Sequence, residues 1–190
     1  MKEINIVIVG VGGQGTLLAS RVLGSLAIGT GKDVKVSEVH GMSQRGGSVI
    51  TYVRTGAEVA SPMVDEGTAD FVLAFEKLEA LRALKYLKKD GTMLVNTQEI
   101  NPMPVISGDA IYPKDALETL RAKCPRLVAF DALSLAEASG ESRAVNTVLL
   151  GALSNLMDAP EEAWLKALES SVPAKILAVN LKAFQAGRGA

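Results

Sequence analysis

Apolar positions along the chain alternate between two rhythms. Ile4-Asn5-Ile6-Val7-Ile8-Val9 is a β-branched run, and Thr16-Leu17-Leu18-Ala19-Ser20-Arg21-Val22 has helical spacing. Between them lies Gly10-Val11-Gly12-Gly13-Gln14-Gly15. The pattern predicts a strand, a tight glycine turn and a helix. Gly29-Thr30-Gly31 ends that helix, and Val34–Ser37 alternates as a second strand reaching Glu38. Val39–Gly47 reads as a polar, glycine-rich loop. Ser48–Arg54 is β-branched again with no helix before it, so it is expected to pair antiparallel, as a candidate edge strand.

Phe71–Phe75 is an unbroken apolar run, the mark of a strand covered on both faces. Lys77–Leu87 places Leu78, Leu81, Leu84 and Leu87 on one side of an amphipathic helix, with Glu76 as its cap. Asp90-Gly91 reads as a turn into a strand over Thr92–Val95. Around Pro102 and Pro104 the chain reads as irregular, with Val105-Ile106 and Ala110–Tyr112 as short extended pieces. Pro113 opens a helix that Cys124-Pro125 stops, Leu127–Phe130 is another buried-type strand, and Asp131 caps a short helix. The remainder is helical: Ala144–Met157, a helix from Pro160 carrying Glu161 and Glu162 at its positive end, and a last helix from Pro173 to about Gly187. Strands alternating with helices give an α/β class: a Rossmann-like, mostly parallel sheet with helices on both faces and a helical C-terminal tail, in one domain over 1–190.

The turn carries the first candidate chemistry. Gly10, Gly12 and Gly15 meet the G-x-G-x-x-G pattern after a strand and before a helix. Gly10 permits a sharp turn, Gly12 leaves room for a ligand against the main chain, and Gly15 is expected to let helix and strand pack closely. Unpaired amides at the helix start suit a phosphate or carboxylate. Glu38, a little over 20 residues on, stands where a nicotinamide-binding domain keeps its ribose ligand. Ser43, Gln44 and Arg45 form a second cluster of donors, and an Arg fork suits an anion. His40 has no evident catalytic partner, so a structural or interface role is favoured for it.

Composition narrows the rest. Apolar residues make up 48% of the 190, only 4% are aromatic, and the net charge is −1 with no basic cluster. Nucleic-acid and anionic-membrane partners are therefore not expected, and no apolar run reaches the roughly 18–20 residues of a bilayer span. One cysteine, Cys124, and one histidine, His40, fall short of the ligands that an iron–sulfur cluster or structural zinc site requires. Neither a G-x-S-x-G elbow nor a phosphate-binding Gly-x₄-Gly-Lys-Ser/Thr loop occurs. Gly108-Asp109-Ala110 is only a fragment of a thiamine diphosphate pattern. A cytoplasmic chain that cannot catalyse alone is the expectation, with an inert thiol at Cys124.

Two stretches carry a resemblance: Gly10–Thr16, and more specifically Ser37-Glu-Val-His-Gly-Met-Ser-Gln-Arg-Gly-Gly-Ser-Val49. Together with Ser61-Pro62, Ala69–Glu76, Asn96-Thr97 and Asn146–Ala152, they resemble the small (beta) subunit of indolepyruvate:ferredoxin oxidoreductases. That subunit matches the gamma domain of the wider 2-oxoacid:ferredoxin oxidoreductase family. The resemblance implies a large alpha partner subunit holding thiamine diphosphate and iron–sulfur clusters, coenzyme A as cosubstrate, and ferredoxin as electron acceptor through the complex. It implies no cofactor held by this chain alone. Gly12, Gly13, Gln14, Gly15, Thr16, Ser43, Gln44 and Arg45 are then the candidate residues for coenzyme A or for docking the partner, and both roles stay open. So does pairing of the isolated chain with itself through the surface meant for its partner. The rival readings are an NAD(P)-binding oxidoreductase domain using Glu38 and a non-enzymatic nucleotide-sensing module.

Overall fold

A computed structural model describes residues 3–41 and 46–190. The chain begins with β1 (Ile4–Val11), α1 (Thr16–Gly29), β2 (Asp33–His40), β3 (Ser48–Gly56), β4 (Ala69–Ala74) and α2 (Lys77–Ala83). It continues through β5 (Leu87–Asn96), α3 (Met103–Ile106), α4 (Ala116–Lys123), β6 (Leu127–Phe130) and α5 (Ala132–Ser139). It closes with α6 (Val145–Ser154), α7 (Glu161–Ser171) and α8 (Ala174–Arg188). The six strands form one sheet in the order β2-β3-β1-β4-β5-β6. All run parallel except β3, which is antiparallel to both β1 and β2. The α/β class, the mostly parallel sheet and the helical C-terminal region are as the pattern predicts.

Alternation along β1 builds both halves of the core. Ile6 and Ile8 face α1, α6 and α8 together with Leu73, Leu94 and Trp164. Val7 and Val9 face α2 and α4 with Val72, Met93 and Leu120. Several details depart from the pattern. The helix expected over Lys77–Leu87 ends at Ala83, one 3₁₀ turn follows over Leu84–Tyr86, and Leu87 already opens β5, ahead of the expected Thr92. Strand β3 is internal, and the hairpin makes β2 the edge. Strand β2 runs on through Val39 and His40, because β3 offers a partner for every residue of it. Gly91 lies inside β5 rather than in a turn; a Cβ there would stand 2.8 Å from the carbonyl oxygen of Ala69, where the ladder shifts register. The short segment Met103–Ile106 closes one helical turn capped by Pro102, since Pro104 near a helix start forfeits no intrahelical bond.

Helices α6 and α8 cross at two glycines. A Cβ on Gly151 would lie 2.1 Å from the Phe184 carbonyl oxygen, and one on Gly187 would lie 1.9 Å from that of Val148. Backbone, not a flexible side chain, blocks both. Gly151→Ala or Gly187→Ala is therefore expected to cost about 3 kcal/mol by forcing the helices apart. Thermal unfolding should show a lower midpoint for each, whereas Gly24→Ala, where a Cβ meets nothing within 4 Å, should leave it unchanged or raised.

Candidate functional site

Four parallel strands, β1, β4, β5 and β6, end on one edge of the sheet, and the glycine turn rises from it. The chain leaves β1 through Gly13 at φ 105° and Gly15 at φ 86°, conformations that side chains resist. Gly15 is the cap position of α1 and supplies no side-chain acceptor. Its lack of a Cβ serves α6 rather than β1: a Cβ would stand 2.3 Å from Asn146 Nδ2, which donates to the Gly15 carbonyl at 3.2 Å. The expected helix–strand contact at Gly15 is thus a turn–helix contact. Asn146 and Asn180, whose setting the sequence leaves open, are both buried. Thr147 Oγ1 donates to Asn180 Oδ1 at 2.6 Å, and Asn180 Nδ2 donates to the Ile176 carbonyl at 2.9 Å. A buried polar line therefore runs from the glycine turn to α8.

Gln14 turns inward. Its Oε1 accepts from the Val11 amide at 2.7 Å, and its Nε2 donates to the Phe75 carbonyl at 3.0 Å. Asn96, fully buried at the end of β5, donates to the same carbonyl at 3.1 Å and accepts from the Ala132 amide at 3.1 Å. Gln98 Oε1 receives both amide groups at 3.3 Å. Side chains thus stitch the ends of β1, β4 and β5 to the start of α5. Next in the chain, Glu76 caps α2 by accepting from the Glu79 amide at 3.0 Å, as its position predicts. Its other oxygen accepts from the Ile100 amide at 3.2 Å and from the Tyr112 hydroxyl. Burial, then the Glu76 carboxylate, holds the Tyr112 phenol well above its ordinary ionisation range.

Two crevices flank the turn. On the β3 side, about 380 Å³ is lined by Gly12, Gly15, Thr16, Leu17, Glu38 and His40. Glu38 Oε2 accepts there from Thr16 Oγ1 at 3.3 Å and Thr51 Oγ1 at 3.2 Å, and His40 Nδ1 lies 4.0 Å from Glu38 Oε1. The Glu38 carboxylate thus sits beside the side chain of the first residue of α1, where its charge disfavours a phosphate. On the β5 side, about 200 Å³ is lined by Gly13, Gln14, Gln98, Ile100, Ser142 and Arg143. The pattern of the sequence singles out neither Gln98 nor Arg143. Arg143 sits in a short connection between two helices, and only the folding of α5 and α6 over the sheet brings it to the turn. Gly12, Gly13, Gln14, Gly15 and Thr16 are thus gathered in one place; Ser43, Gln44 and Arg45 lie outside the described residues.

A model of the pyruvate ferredoxin/flavodoxin oxidoreductase family matches residues 5–190. The chain belongs to that family. Two indolepyruvate oxidoreductase subunits IorB, from Thermococcus kodakarensis and Pyrococcus horikoshii, are each 47% identical to it, covering 98% of this chain and 95% of their own. The gamma subunit of a keto/oxoacid ferredoxin oxidoreductase from Geobacter sulfurreducens superposes with a TM-score of 0.71 at 27% identity, covering 97% of this chain and 95% of its own. The resemblance drawn from Gly10–Thr16 and Ser37–Val49 is borne out. Family membership does not favour the NAD(P)-binding or nucleotide-sensing alternatives. The topology changes the setting of Glu38: β3 is inserted between β1 and β2, so the end of β2 stands two strand spacings, about 10 Å, from the turn's own strand, and the Glu38 side chain reaches back across β3 to accept from Thr16 and Thr51. No helix among the described residues is long and apolar enough to cross a membrane.

Two measurements check this geometry. Gln14→Ala removes the side-chain acceptor of the Val11 amide and leaves the Phe75 carbonyl with Asn96 alone, and is expected to cost about 2 kcal/mol in urea unfolding. Tyr112 has its pKa raised by folding, so its contribution is complete below the free-phenol value and is lost as pH rises beyond it. Tyr112→Phe should therefore be less stable than the parent near about pH 8, with the gap narrowing by about pH 11, past the ordinary phenol pKa of about 10.

Proposed function

We propose that this chain is the small subunit of an indolepyruvate-type, that is arylpyruvate, ferredoxin oxidoreductase and is inactive without its large partner. The observation that carries this reading is near-half identity to two IorB subunits over almost the whole of both chains. In the proposed reaction a 2-oxo acid and coenzyme A give the acyl-CoA thioester, carbon dioxide and a proton, and the two electrons released pass to ferredoxin. Thiamine diphosphate and the iron–sulfur clusters belong on the large subunit. The donor set here does not fit a cluster: Cys124 is 2% exposed, and burial pushes its thiol up, away from the thiolate that iron requires. We read 1–190 as one gamma-type domain, supported by a family match that starts at residue 5 and runs to residue 190. A cytoplasmic setting suits its single reduced thiol.

For the turn, docking onto the large subunit is the better supported role. Gln14 is committed to the sheet, and Glu38 occupies the approach to the start of α1. The place suited to a coenzyme A phosphate is the β5-side crevice, where Arg143 supplies a fork. Gly12, Gly13, Gly15 and Thr16 form the proposed docking rim, and the same role is proposed for Ser43, Gln44 and Arg45.

Co-expression with the large subunit of the same source tests the assignment. The expected outcome is coenzyme A-dependent ferredoxin reduction by the mixture, fastest with an arylpyruvate, and none by either chain alone. Substrate oxidation by the 190-residue chain alone at the expense of NAD overturns it. In the reconstituted enzyme, Arg143→Ala should raise the KM for coenzyme A by roughly tenfold if the guanidinium holds a phosphate. An unchanged KM assigns the β5-side crevice to docking.

A further inference from the structure

Residues 101–111 project from the rim of the β5-side crevice. Their large apolar side chains face water: Met103 is 72% exposed, Ile106 68% and Ile111 89%. Such exposure on a floppy loop would mean little. This segment is built to hold its shape. Pro102 and Pro104 restrict it, α3 closes one turn, and the Ala110 amide donates to the Pro104 carbonyl at 2.9 Å. Ser107 Oγ donates to Asp109 Oδ2 at 2.7 Å. Both feet are fastened to one atom: the Ile100 amide and the Tyr112 hydroxyl donate to Oε1 of Glu76, a carboxylate only 1% exposed. Lys77 adds a salt bridge to Glu99 at 3.1 Å and lies 5.6 Å from the centre of the Tyr112 ring.

We infer that residues 101–111 form a preorganised docking knob whose apolar tip enters an apolar recess on the larger subunit of the oxidoreductase. This deepens the subunit reading above and rests on it. Three observations select that occupant. The knob is continuous with the proposed docking rim, because Gln98 and Ile100 at its foot line the same crevice as Gly13 and Arg143. That edge of the sheet is the end where α/β domains present their sites, so a chain bringing cofactors must approach it. A second copy seated there would close the crevice to that chain. The charges beside the knob, Glu99, Asp109 and Asp115 with Lys77, Lys114 and Arg143, are mixed and carry no basic excess, a poor footing for an anionic membrane. Rigid apolar anchors lose little freedom on binding, which concentrates affinity in few residues.

The test compares four chains for affinity to the purified large subunit: wild type, Ile111→Ser, the triple Met103→Ser/Ile106→Ser/Ile111→Ser, and Leu156→Ser. Leu156 is 43% exposed and lines a hollow with Ile4, Asp70 and Lys88 at the opposite edge of the sheet. Circular dichroism and thermal midpoint check folding; Ile111→Ser, at a nearly fully exposed site, keeps the comparison available should the triple variant unfold. The triple variant is expected to bind about 100-fold and the single variant about 10-fold more weakly, with Leu156→Ser unchanged. Raising subunit concentration should restore ferredoxin reduction to the wild-type kcat, which a lesion in the chemistry would not allow. If wild type binds and reconstitutes activity but the knob variants bind equally well, the knob inference fails and the subunit reading stands. Loss of self-association alone, or of binding to phosphatidylserine vesicles alone, also overturns the knob inference. If wild type itself neither binds nor reconstitutes, both fall.

Discussion

Two adjacent buried acceptors at the end of β4 organise everything above the sheet. The Phe75 carbonyl and the Glu76 carboxylate have left water, and a buried acceptor without donors is costly. Gln14 and Asn96 converge on the carbonyl. The amides of Glu79 and Ile100 and the Tyr112 hydroxyl converge on the carboxylate. These five donors come from four parts of the chain. Satisfying two neighbouring residues thus fixes the glycine turn, the exit of β5, the start of α2 and the segment before α4 relative to one another. The site owes its shape to this convergence more than to any property of glycine.

The inserted hairpin redirects a familiar arrangement. In a dinucleotide-binding domain the strand after the first helix lies beside the first strand, and its terminal carboxylate reaches a ribose. Here β3 takes that neighbouring place and β2 is displaced outward. Glu38 then turns toward Thr16 and Thr51 and supplies from within the protein the negative charge that the start of α1 attracts. The same sequence signal, a strand, a glycine turn and a distant acid, thus yields a self-neutralised turn. A free phosphate is therefore less favoured at that seat.

Much of the fold was legible because its strands are covered on both faces. Ile4–Val9 and Phe71–Phe75 read directly as strands, and the prolines at 160 and 173 marked the starts of α7 and α8. The cap role of Glu76 was equally plain, since a carboxylate before a helix has few better uses. What escaped depends on tertiary neighbours. Gly91 resembles a turn residue until the Ala69 carbonyl is seen pressing on it. The edge position of β2 depends on which side of β1 the hairpin falls, and no local pattern encodes that. Arg143 and Gln98 carry no periodic signal and meet only across the assembled sheet. Asn146 lies in an apolar helical stretch where an asparagine is neutral by pattern, yet it reads the Gly15 carbonyl.

The polar line from Gly15 through Asn146 and Thr147 to Asn180 spans nearly the full length of the polypeptide. Its consequence lies in the order of biosynthesis. A ribosome delivers the glycine turn well before α8, so the turn gains Phe75 and Asn96 early but waits longer for Asn146 and the helix behind it. Only when α8 has emerged can its asparagine complete the line and the two glycine faces of α6 and α8 close. Until then the layer of helices behind the turn is incomplete, and the turn is held from the sheet side alone.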